Sequence, residues 1–323
     1  MILCCGEALI DMVPPRGADT SPYGSFEVRP GGSVYNSAIA AARLGAPTAF
    51  LGRIASDFLG ETLFRRLVDN GVDTGLVVRS PQPVTLAFVH RNDSGEADYA
   101  FYANDAADRS LSPGDIPESL PPDTHFLLVG SISLVLEPGA SAIERMMHRE
   151  SGRILVSYDP NVRPSLVPDR TAFVRRFETL CAQAAIVKAS TADLEWIYGP
   201  ESPEDFASKL LAFGPDLVVL TMGTEGSAAA THAAAAAVPA FPVKVADTIG
   251  AGDTFHAAIL AALESRAAVT RSALRSLDSG ALGGILSFAS AAAALNCTRK
   301  GAEPPSLDEL ANAYPILGIA RRS

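Results

Sequence analysis

Short apolar runs alternate with helical patterns along most of this 323-residue chain, and that alternation restricts the fold more than any other feature. The predicted strands are bounded by Gly, Pro or Asp and cover 2–9, 48–52, 126–129, 154–158, 185–187 and 217–221. The predicted helices cover 33–44, 57–70 with Gly71 after its end, 139–150, 171–182 and 203–213, and the pattern is helical from 252 onward, with a core helix over 280–295. Continuously apolar strands that alternate with helices are typical of a parallel sheet covered on both faces. We therefore expect an α/β fold, a parallel-sheet α/β/α sandwich.

Two segments, 11–30 and 82–104, interrupt this alternation because β-favouring side chains alternate there with polar ones. The sequence Asn92-Asp93-Ser94-Gly95 predicts a turn inside the second segment. We interpret both segments as antiparallel strands that leave the parallel sheet and form a small β insertion, with an ordinary surface hairpin as the alternative. The main α/β unit would then comprise residues 1–10, 31–81 and 105–323.

The balance of charged residues argues against a nucleic-acid backbone or an anionic membrane surface as the partner. The chain has 26 Lys and Arg against 36 Asp and Glu, a formal net charge of −10. Such a charge repels polyanions from the surface as a whole, although a local basic pocket is compatible with it. Since 48% of the residues are hydrophobic and 19% are charged, the chain can bury a large core, and we expect an ordered fold.

The cysteines and the start of the chain both indicate a reducing cytoplasm. The four cysteines form no C-x-x-C unit and have no histidine at zinc-finger spacing, so we expect reduced thiols. The first residues contain only a short apolar run with no basic segment before it, which predicts neither a signal peptide nor a membrane anchor. We also expect no stretch of small residues to approach the ~20 apolar residues that span a bilayer.

The sharpest chemical signal is the segment Asp247-Thr-Ile-Gly-Ala-Gly-Asp253-Thr-Phe, which follows a β-like run and opens a helix. Gly250 and Gly252 allow a close approach of the backbone, and a helix start presents unpaired N–H groups to an anion. A carboxylate beside a bound phosphate is unfavourable unless Asp253 accepts a proton from the hydroxyl that attacks that phosphate. The alternative is an ordinary helix-start turn in which Asp253 stabilises the helix dipole. No G-x-x-x-x-G-K-[ST] sequence occurs, so the segment is not a Walker loop.

A second glycine-rich segment, Gly31-Gly32-Ser-Val-Tyr-Asn36, precedes an Ala-rich helical pattern. Paired glycines let backbone amides approach a ligand. Asn36 lies about one turn into the helix, where its side-chain amide offers a donor and an acceptor to a sugar hydroxyl. A glycine turn followed by a surface asparagine is the alternative.

Together these segments resemble the two signatures of the ribokinase or PfkB family of carbohydrate kinases. The first signature is Gly31-Gly32-x-x-x-Asn36 through Gly45 with Gly52-Arg53-Ile-Ala-Ser-Asp57-x-x-Gly60, and the second is 247–255. Other segments are similar to bacterial fructokinases: Gly6-Glu7-Ala-Leu-Ile-Asp11, Phe101-Tyr102 with Ala107-Asp108-Arg109, Gly130-Ser131-Ile, Asp159-Pro-Asn161-Val-Arg163, and Cys297-Thr-Arg-Lys-Gly301-Ala. The similarity extends over essentially the whole chain. It implies a ribokinase-like fold in which the β insertion forms a lid over a sugar.

The resemblance implies a role for each matching residue around the reacting groups. Asp253 would be the base that deprotonates the attacking hydroxyl. The anion hole for the γ-phosphoryl group would be formed by the amides of Gly250, Ala251 and Gly252. Sugar hydroxyls would be bound by Asp11, Gly32 and Asn36, and the sugar or the transferred phosphate would have Arg109 and Arg163 nearby.

ATP is the implied phosphate donor, and three further segments would bind it. The nucleotide loop after a core strand would use Thr221, Gly223 and Gly226. Lys188, at the end of another strand, would lie close to the ATP phosphates. Asn296 would lie near the adenine.

Mg²⁺ is the implied divalent cofactor, and here the sequence departs from the family pattern. Relatives often carry Asn-x-x-Glu where this chain has Ser190-Thr-Ala-Asp193. Asp193 is one methylene shorter than Glu, so we expect a water to bridge it to Mg²⁺. The alternative is a plain helix start with Ser190 as its N-cap.

The resemblance also implies a monovalent cation, K⁺, behind the anion hole. Asp247 and the carbonyl of Ile249 match this site. Its remaining ligands would be the carbonyls of Asn296, Arg299 and Gly301. Pro305 stands where some potassium-activated relatives carry Ser, so the sequence departs from the family pattern at this position.

The implied activity is ATP-dependent phosphorylation of a primary hydroxyl of a furanose sugar, and we expect fructose to be converted to fructose 6-phosphate. The expected partners are a small sugar and ATP, with no nucleic acid and no membrane. The alternatives within the family are 2-keto-3-deoxygluconate kinase, ribokinase and nucleoside kinase, and outside the enzymes a catalytically silent sugar or nucleotide sensor. An apolar outer face of the lid would favour a homodimer through the lid.

Overall fold

The chain follows the predicted alternation of strands and helices. The structure is a computed structural model that describes residues 1–14, 25–91 and 97–318. The strands are β1 (Ile2–Cys5), β2 (Leu9–Val13), β3 (Glu27–Gly31), β4 (Thr48–Ala55), β5 (Val77–Ser80), β6 (Leu86–Arg91), β7 (Ala97–Tyr102), β8 (Phe126–Gly130), β9 (Leu155–Asp159), β10 (Ile186–Ser190), β11 (Leu217–Thr221), β12 (Ser227–Ala230) and β13 (Ala235–Val238). The helices are α1 (Ser33–Arg43), α2 (Phe58–Asp69), α3 (Gly139–Glu150), α4 (Arg170–Gln183), α5 (Thr191–Tyr198), α6 (Pro203–Ala212), α7 (Ala251–Ser265), α8 (Arg271–Arg275), α9 (Ser279–Cys297) and α10 (Leu307–Ala313).

The central sheet has the strand order β13-β12-β11-β10-β9-β8-β1-β4-β5. Neighbouring strands from β11 to β5 are parallel, whereas β12 and β13 run antiparallel at one edge. Helices α1, α7 and α9 cover one face of the sheet, and α3, α4 and α6 cover the other. The predicted α/β/α sandwich is confirmed, since apolar strands are buried by helices on both sides.

Strand β1 shows how both faces of the sheet are buried. Cys4 packs with the α1 and α7 side chains, whereas Cys5 packs with those of α3 and α4, because neighbouring side chains of a strand point to opposite faces. Both thiols are free, and burial raises the pKa of each well above its usual value. They are therefore inert thiols of the core.

Helix α9 is the apolar helix predicted over 280–295. In the described part of the chain it is the one helix that is long and apolar enough, by length and composition alone, to cross a bilayer. The expectation that no stretch approaches that length was therefore wrong. Half of the helix is buried inside the fold and it packs against α7, as expected of a core helix.

One predicted strand differs from the structure, and three strands were not predicted. The predicted strand 2–9 is divided, because the chain leaves the central sheet after β1 and enters a second sheet at β2, a change that a continuous apolar run does not reveal. Residues 227–238 form β12 and β13, although their many alanines favour helix over strand. The half-exposed edge strand β5 also carries too weak a pattern to have been predicted.

The insertion forms a separate sheet with the order β3-β2-β6-β7, which we call the lid sheet. β2 pairs antiparallel with β3, and β6 with β7, but β2 and β6 are parallel, contrary to expectation. The reason is that β2 follows β1 and β6 follows β5, two strands that run the same way in the central sheet. The predicted turn at 92–95 and residues 15–24 lie outside the described residues. The domain boundaries stay a prediction.

Candidate active site

The candidate site lies at the carboxyl edge of the central sheet, where α1 and α7 begin. Among the described residues, a cavity of about 360 Å³ under the lid sheet meets a second cavity of about 460 Å³ beside β11 and α9. Both cavities are lined by Thr248 and Gly252, in the turn that precedes α7 and in its first residues. Ligands bound in the two cavities would therefore meet at the start of α7, which is the common ligand position of parallel α/β sheets.

Helix α7 begins in a glycine turn. Gly250 has φ +74°, in the left-handed region that favours glycine. The N–H of Ala251 donates to the carbonyl of Thr248 at 3.2 Å. The amides of Gly252 and Asp253 lie in the first helical turn, where helix geometry provides no acceptor. The backbone is thus arranged to receive an anion, and the individual anion-hole roles stay predictions.

Asp247 stabilises this turn from below. Its Oδ1 accepts the N–H of Thr248 at 2.8 Å and its Oδ2 accepts the N–H of Gly301 at 3.0 Å. The carbonyl of Ile249 accepts a bond of 2.9 Å from Nδ2 of Asn296. Asn296 is fully buried beneath the turn and does not line the second cavity, and its Oδ1 has no hydrogen-bond partner among the described residues. The structure thus places Asn296 under the turn rather than on the nucleotide surface, and the cation site stays a prediction.

Asp253 lies one residue beyond that turn and lines the first cavity. Its Oδ1 accepts the hydroxyl of Ser33 at 2.6 Å, and its Oδ2 accepts Nδ2 of Asn36 at 2.9 Å. Burial raises the pKa of Asp253, whereas the bonds from Ser33 and Asn36 and the charge of Lys188 oppose that rise. The carboxylate is therefore buried, held from both sides and close to a cation, and it faces the first cavity.

The first cavity is lined mainly by polar groups from the ends of strands and the start of α1. Gly32, the residue before α1, has φ +109°, and a Cβ there would lie 2.9 Å from the carbonyl oxygen of Glu7. The lining residues are Glu7, Leu9, Asp11, Gly32, Ser33, Asn36, Tyr99, Phe101, Ser131, Ile132, Asn161, Arg163, Thr248, Ile249, Gly250, Gly252 and Asp253. We call this the sugar cavity, because it is lined by Asp11, Gly32 and Asn36, the residues expected to bind sugar hydroxyls.

Asp11 is buried in the sugar cavity, opposite Asp253. Its pKa is raised to about 7, mainly by burial and then by the negative charge of Asp253, while Arg163 opposes the shift. A Cβ at Gly31 would lie 2.1 Å from Oδ2 of Asp11, so only glycine leaves room for this carboxylate. The structure thus places Asp11 and Asp253, which were predicted separately, in the same cavity.

The two predicted arginines are placed differently. Arg163 lines the sugar cavity, donates to Oδ1 of Asn161 at 2.7 Å and lies 5.5 Å from the centre of the Tyr99 ring. The guanidinium of Arg109 instead donates to the carbonyl of Glu137, at 2.8 Å from Nη2, and does not line the cavity. Arg109 thus lies in a structural contact, and its predicted role near the sugar stays untested.

The second cavity has the predicted nucleotide loop on its wall. Thr221, Gly223 and Gly226 line it, after strand β11. The opposite wall is apolar and includes Phe241, Val245 and Phe255. We call it the nucleotide cavity, since an apolar slot beside a glycine turn suits a base and its phosphates.

Lys188 lies beneath the junction of the two cavities. Its ammonium is buried and pairs with Oδ2 of Asp159 at 2.8 Å. Burial alone would lower the pKa of Lys188, but the nearby carboxylates, Asp159 first and then Asp193 and Asp253, together raise it by more, so the ammonium stays charged. A Cβ built on Gly252 would lie 3.3 Å from this nitrogen. Nearby His256 has its pKa lowered to about 3 by burial and by Lys188, so its imidazole is neutral and belongs to the packing.

Asp193 accepts three hydrogen bonds within the protein. Its Oδ1 accepts the N–H of Val162 at 2.8 Å, and its Oδ2 accepts the hydroxyl and the N–H of Ser190 at 2.6 and 3.2 Å. Ser190 in return caps α5, which is the alternative that the sequence left open. Within the described residues no group of three His, Cys, Asp or Glu side chains could hold a metal ion.

Several cavity residues had no assigned role in the sequence. Glu7, Ser33 and Asn161 stand inside motifs that carried the resemblance, and Tyr99 and Phe101 stack with ring centres 5.8 Å apart on the lid sheet. The position of Asn161 directly after a buried parallel strand was the available signal, because strand carboxyl ends meet at one edge.

Known proteins resemble this chain over most of its length. The sequence matches the pfkB family carbohydrate kinase over residues 1–309. A fructokinase from Rhizobium leguminosarum bv. trifolii is 41% identical over 283 residues, which cover 87% of this chain and 85% of the relative. The crystal structure of a fructokinase with bound ATP from Xylella fastidiosa has a TM-score of 0.87 at 29% identity and covers 98% of both chains. That of a fructokinase from Vibrio cholerae O395 in its fructose, ADP and calcium ion bound form has a TM-score of 0.82 at 27% identity, again over 98% of both chains. The chain therefore has the ribokinase-like fold and belongs to the pfkB family of carbohydrate kinases.

Proposed function

We propose that this protein is a fructokinase, which transfers the γ-phosphoryl group of ATP to the primary hydroxyl of fructose and forms fructose 6-phosphate. The observation that carries the proposal is the junction of the two cavities at Thr248 and Gly252, with Asp253 beside it in the sugar cavity. The similar fructokinases with fructose and ADP, or with ATP, support this choice of substrates.

Asp253 acts as the general base. The fructose hydroxyl enters the sugar cavity and donates its proton to this carboxylate while its oxygen attacks the γ-phosphorus of ATP. The bond from that phosphorus to the β,γ-bridging oxygen breaks, and ADP leaves through the nucleotide cavity. The base contributes a factor of roughly 10²–10⁴ to the rate.

The backbone at the start of α7 and the buried ammonium of Lys188 stabilise the transferring group. Peptide N–H groups at a helix start interact favourably with the negative charge of the phosphoryl oxygens. Lys188 adds a fixed positive charge directly beneath Gly252. Because both groups are already in place before the reaction, they reorganise little as charge moves.

The lid sheet closes the sugar cavity on the side that faces away from the central sheet. Its inner face presents Leu9, Asp11, Tyr99 and Phe101 to the cavity. Excluding water here suppresses transfer of the phosphoryl group to water instead of to fructose.

Mg²⁺ would enter the site with ATP, and Asp193 would contact it through a water, as the resemblance implies. Asp193 already accepts three hydrogen bonds, and no cluster of metal-binding side chains exists within the described residues. Mg²⁺ commonly keeps several waters and binds through substrate phosphates, where it neutralises their charge.

K⁺ would occupy the loop of Asp247 and Ile249. If activity is unchanged when K⁺ is replaced by a bulky organic cation, that assignment is wrong.

We propose a homodimer through the lid sheet because its outer face exposes large apolar side chains. Phe26, Val28 and Tyr102 are 42%, 52% and 66% exposed, which is unusual for large apolar side chains. Replacing Tyr102 with Ser should convert a dimer to a monomer in sedimentation at micromolar concentration, whereas the same change at Phe58, 79% exposed on α2, should not. A wild-type protein that sediments as a monomer contradicts the dimer.

We place the enzyme in the cytoplasm on the basis of its substrates and free thiols.

The test of the proposed reaction is ADP release with a panel of acceptors. The panel contains fructose, ribose, 2-keto-3-deoxygluconate and a purine nucleoside, and NMR of the product identifies the phosphorylated oxygen. Fructose should give the highest kcat/KM, with phosphate at C6. A higher kcat/KM with another acceptor would identify that acceptor as the substrate instead of fructose. If no acceptor of the panel led to ADP release, the result would favour the catalytically silent sensor.

A further inference from the structure

The carboxylate of Asp253 is held by two side chains of helix α1. Asn36 binds Oδ2 and has an expected role in the family resemblance, whereas Ser33, which binds Oδ1 at 2.6 Å, has none. A carboxylate offers about four acceptor positions. The two bonds from α1 therefore leave one position on each oxygen for a sugar hydroxyl.

The hydroxyl of Ser33 has a defined direction because of Asn161. Arg163 can only donate, so the atom of Asn161 that it contacts at 2.7 Å must be the amide oxygen, Oδ1. The amide nitrogen of Asn161 then faces Ser33 and donates to its Oγ at 2.8 Å. Since that Oγ accepts this hydrogen, its own hydrogen is available for Asp253.

Asn161 and Ser33 are both held in place by further hydrogen bonds of their backbone N–H groups. Asn161 has φ +35°, a left-handed conformation that Asn tolerates, and its N–H donates to Oδ1 of Asp159 at 3.1 Å. The N–H of Ser33 donates to Oε1 of Glu7 at 2.7 Å. The serine hydroxyl is thus positioned through its own backbone and through the side chain that donates to it.

We propose that Ser33 is a positioning residue, oriented by Asn161, which holds Oδ1 of Asp253 and keeps the general base ionised. This inference rests on the proposed function, in which Asp253 takes the proton of the sugar hydroxyl. A hydrogen bond to the charged form of a carboxyl group favours that form. Loss of the Ser33 hydroxyl therefore makes the base harder to ionise and freer to rotate.

The test is the pH dependence of kcat for Ser33→Ala at saturating fructose and ATP. The charged groups that face Asp253 are Lys188 on β10, Asp159 at the end of β9 and Asp11 on β2, and all of them are unchanged in this variant. The acidic limb of the profile should move up by about one pH unit, with kcat below that limb reduced about tenfold and both KM values within about twofold of wild type. Ser33→Thr, which keeps the hydroxyl, should restore the limb.

Ser37→Ala is the matched control. Ser37 lies one turn along the same helix, and its Oγ donates to the backbone carbonyl of Asp253 at 3.3 Å instead of to the carboxylate. Its profile should coincide with that of wild type. An unmoved limb in Ser33→Ala would overturn the proposal, as would a change confined to the KM for fructose, since Ser33 would then be a sugar ligand.

A second variant and a second measurement keep the test independent of folding and of the substrate. Asn161→Ala should move the limb in the same direction but add little in the Ser33→Ala background, because it acts through Ser33. The pKa of Asp253 can also be read without turnover, from the ¹³C resonance of its carboxyl carbon, assigned with Asp253→Asn. If the pKa of Asp253 rises in Ser33→Ala but the wild-type protein phosphorylates no sugar, the fructokinase proposal is wrong and the Ser33 assignment stands. If the wild-type protein phosphorylates fructose but the pKa of Asp253 is unchanged in Ser33→Ala, the fructokinase proposal stands and the Ser33 assignment is wrong.

Discussion

We predict that fructose binding weakens as the pH falls through 7, because Asp11, the proposed ligand of the sugar hydroxyls, loses its negative charge there. Burial and the nearby charge of Asp253 raise the pKa of Asp11 to about 7. The sign follows from that direction: the binding form is present above pH 7 and is lost by protonation below it.

The size of the effect follows from the same pKa. A group that titrates near 7 is about nine-tenths ionised at pH 8 and about one-tenth ionised at pH 6. If fructose binds only the ionised form, Kd should rise about tenfold over this range, which corresponds to about 1.4 kcal/mol. Calorimetric titration with fructose in the absence of ATP measures this without any contribution from turnover.

Two variants separate Asp11 from the other carboxyl group of this cavity whose pKa lies near 7. Glu7 also has its pKa raised to about 7 by burial, but its oxygens are occupied by Ser133 and by the N–H of Ser33. Asp11→Asn should weaken binding at pH 8 and remove the pH dependence, whereas Glu7→Gln should keep it. A flat profile in wild type, or a slope that survives in Asp11→Asn, refutes this reasoning.

Two further changes test the junction and the lid. Gly252→Ala adds a methyl group 3.3 Å from the Lys188 ammonium, so kcat/KM for ATP should fall roughly 10- to 100-fold. The control is Gly283→Ala, whose new methyl group meets nothing within 4 Å and should leave kcat/KM unchanged. Equal values of kcat/KM for the two variants would contradict the role of the junction. Arg29→Ala removes the 3.1 Å hydrogen bond from the lid sheet to the carbonyl of Lys300, so the KM for fructose should rise several-fold with kcat nearly constant. A KM equal to that of wild type would show that this contact does not hold the lid.

The fold was largely predictable because the main sheet repeats one simple pattern. Strand β11 has the predicted bounds, and β8 differs from 126–129 by one residue. Strand β2 was merged with β1 because apolar residues continue while the chain changes sheet. Strands β12 and β13 were missed because alanine gives no strand signal, and they form by pairing with an edge that the sequence does not display.

The candidate site was predictable where its chemistry belongs to the backbone. The glycine turns before α1 and α7 must carry glycine, so 31–36 and 247–253 are visible in the sequence. Ser33 was not predicted because its function depends on Asp253, 220 residues away. The roles of Asp193 and Asn296 stay predictions, since their hydrogen bonds to the start of α5 and to the glycine turn could not be read from the sequence.

The most direct test of the account is the turnover of Asp253→Asn combined with its affinity for fructose. Asparagine keeps the size of the side chain and removes the basic carboxylate, so we predict a kcat lower by at least about 100-fold with the calorimetric Kd for fructose close to that of wild type at pH 8. A kcat near that of wild type would show that another group accepts the proton, and the assignment of Asp253 as the base would be wrong.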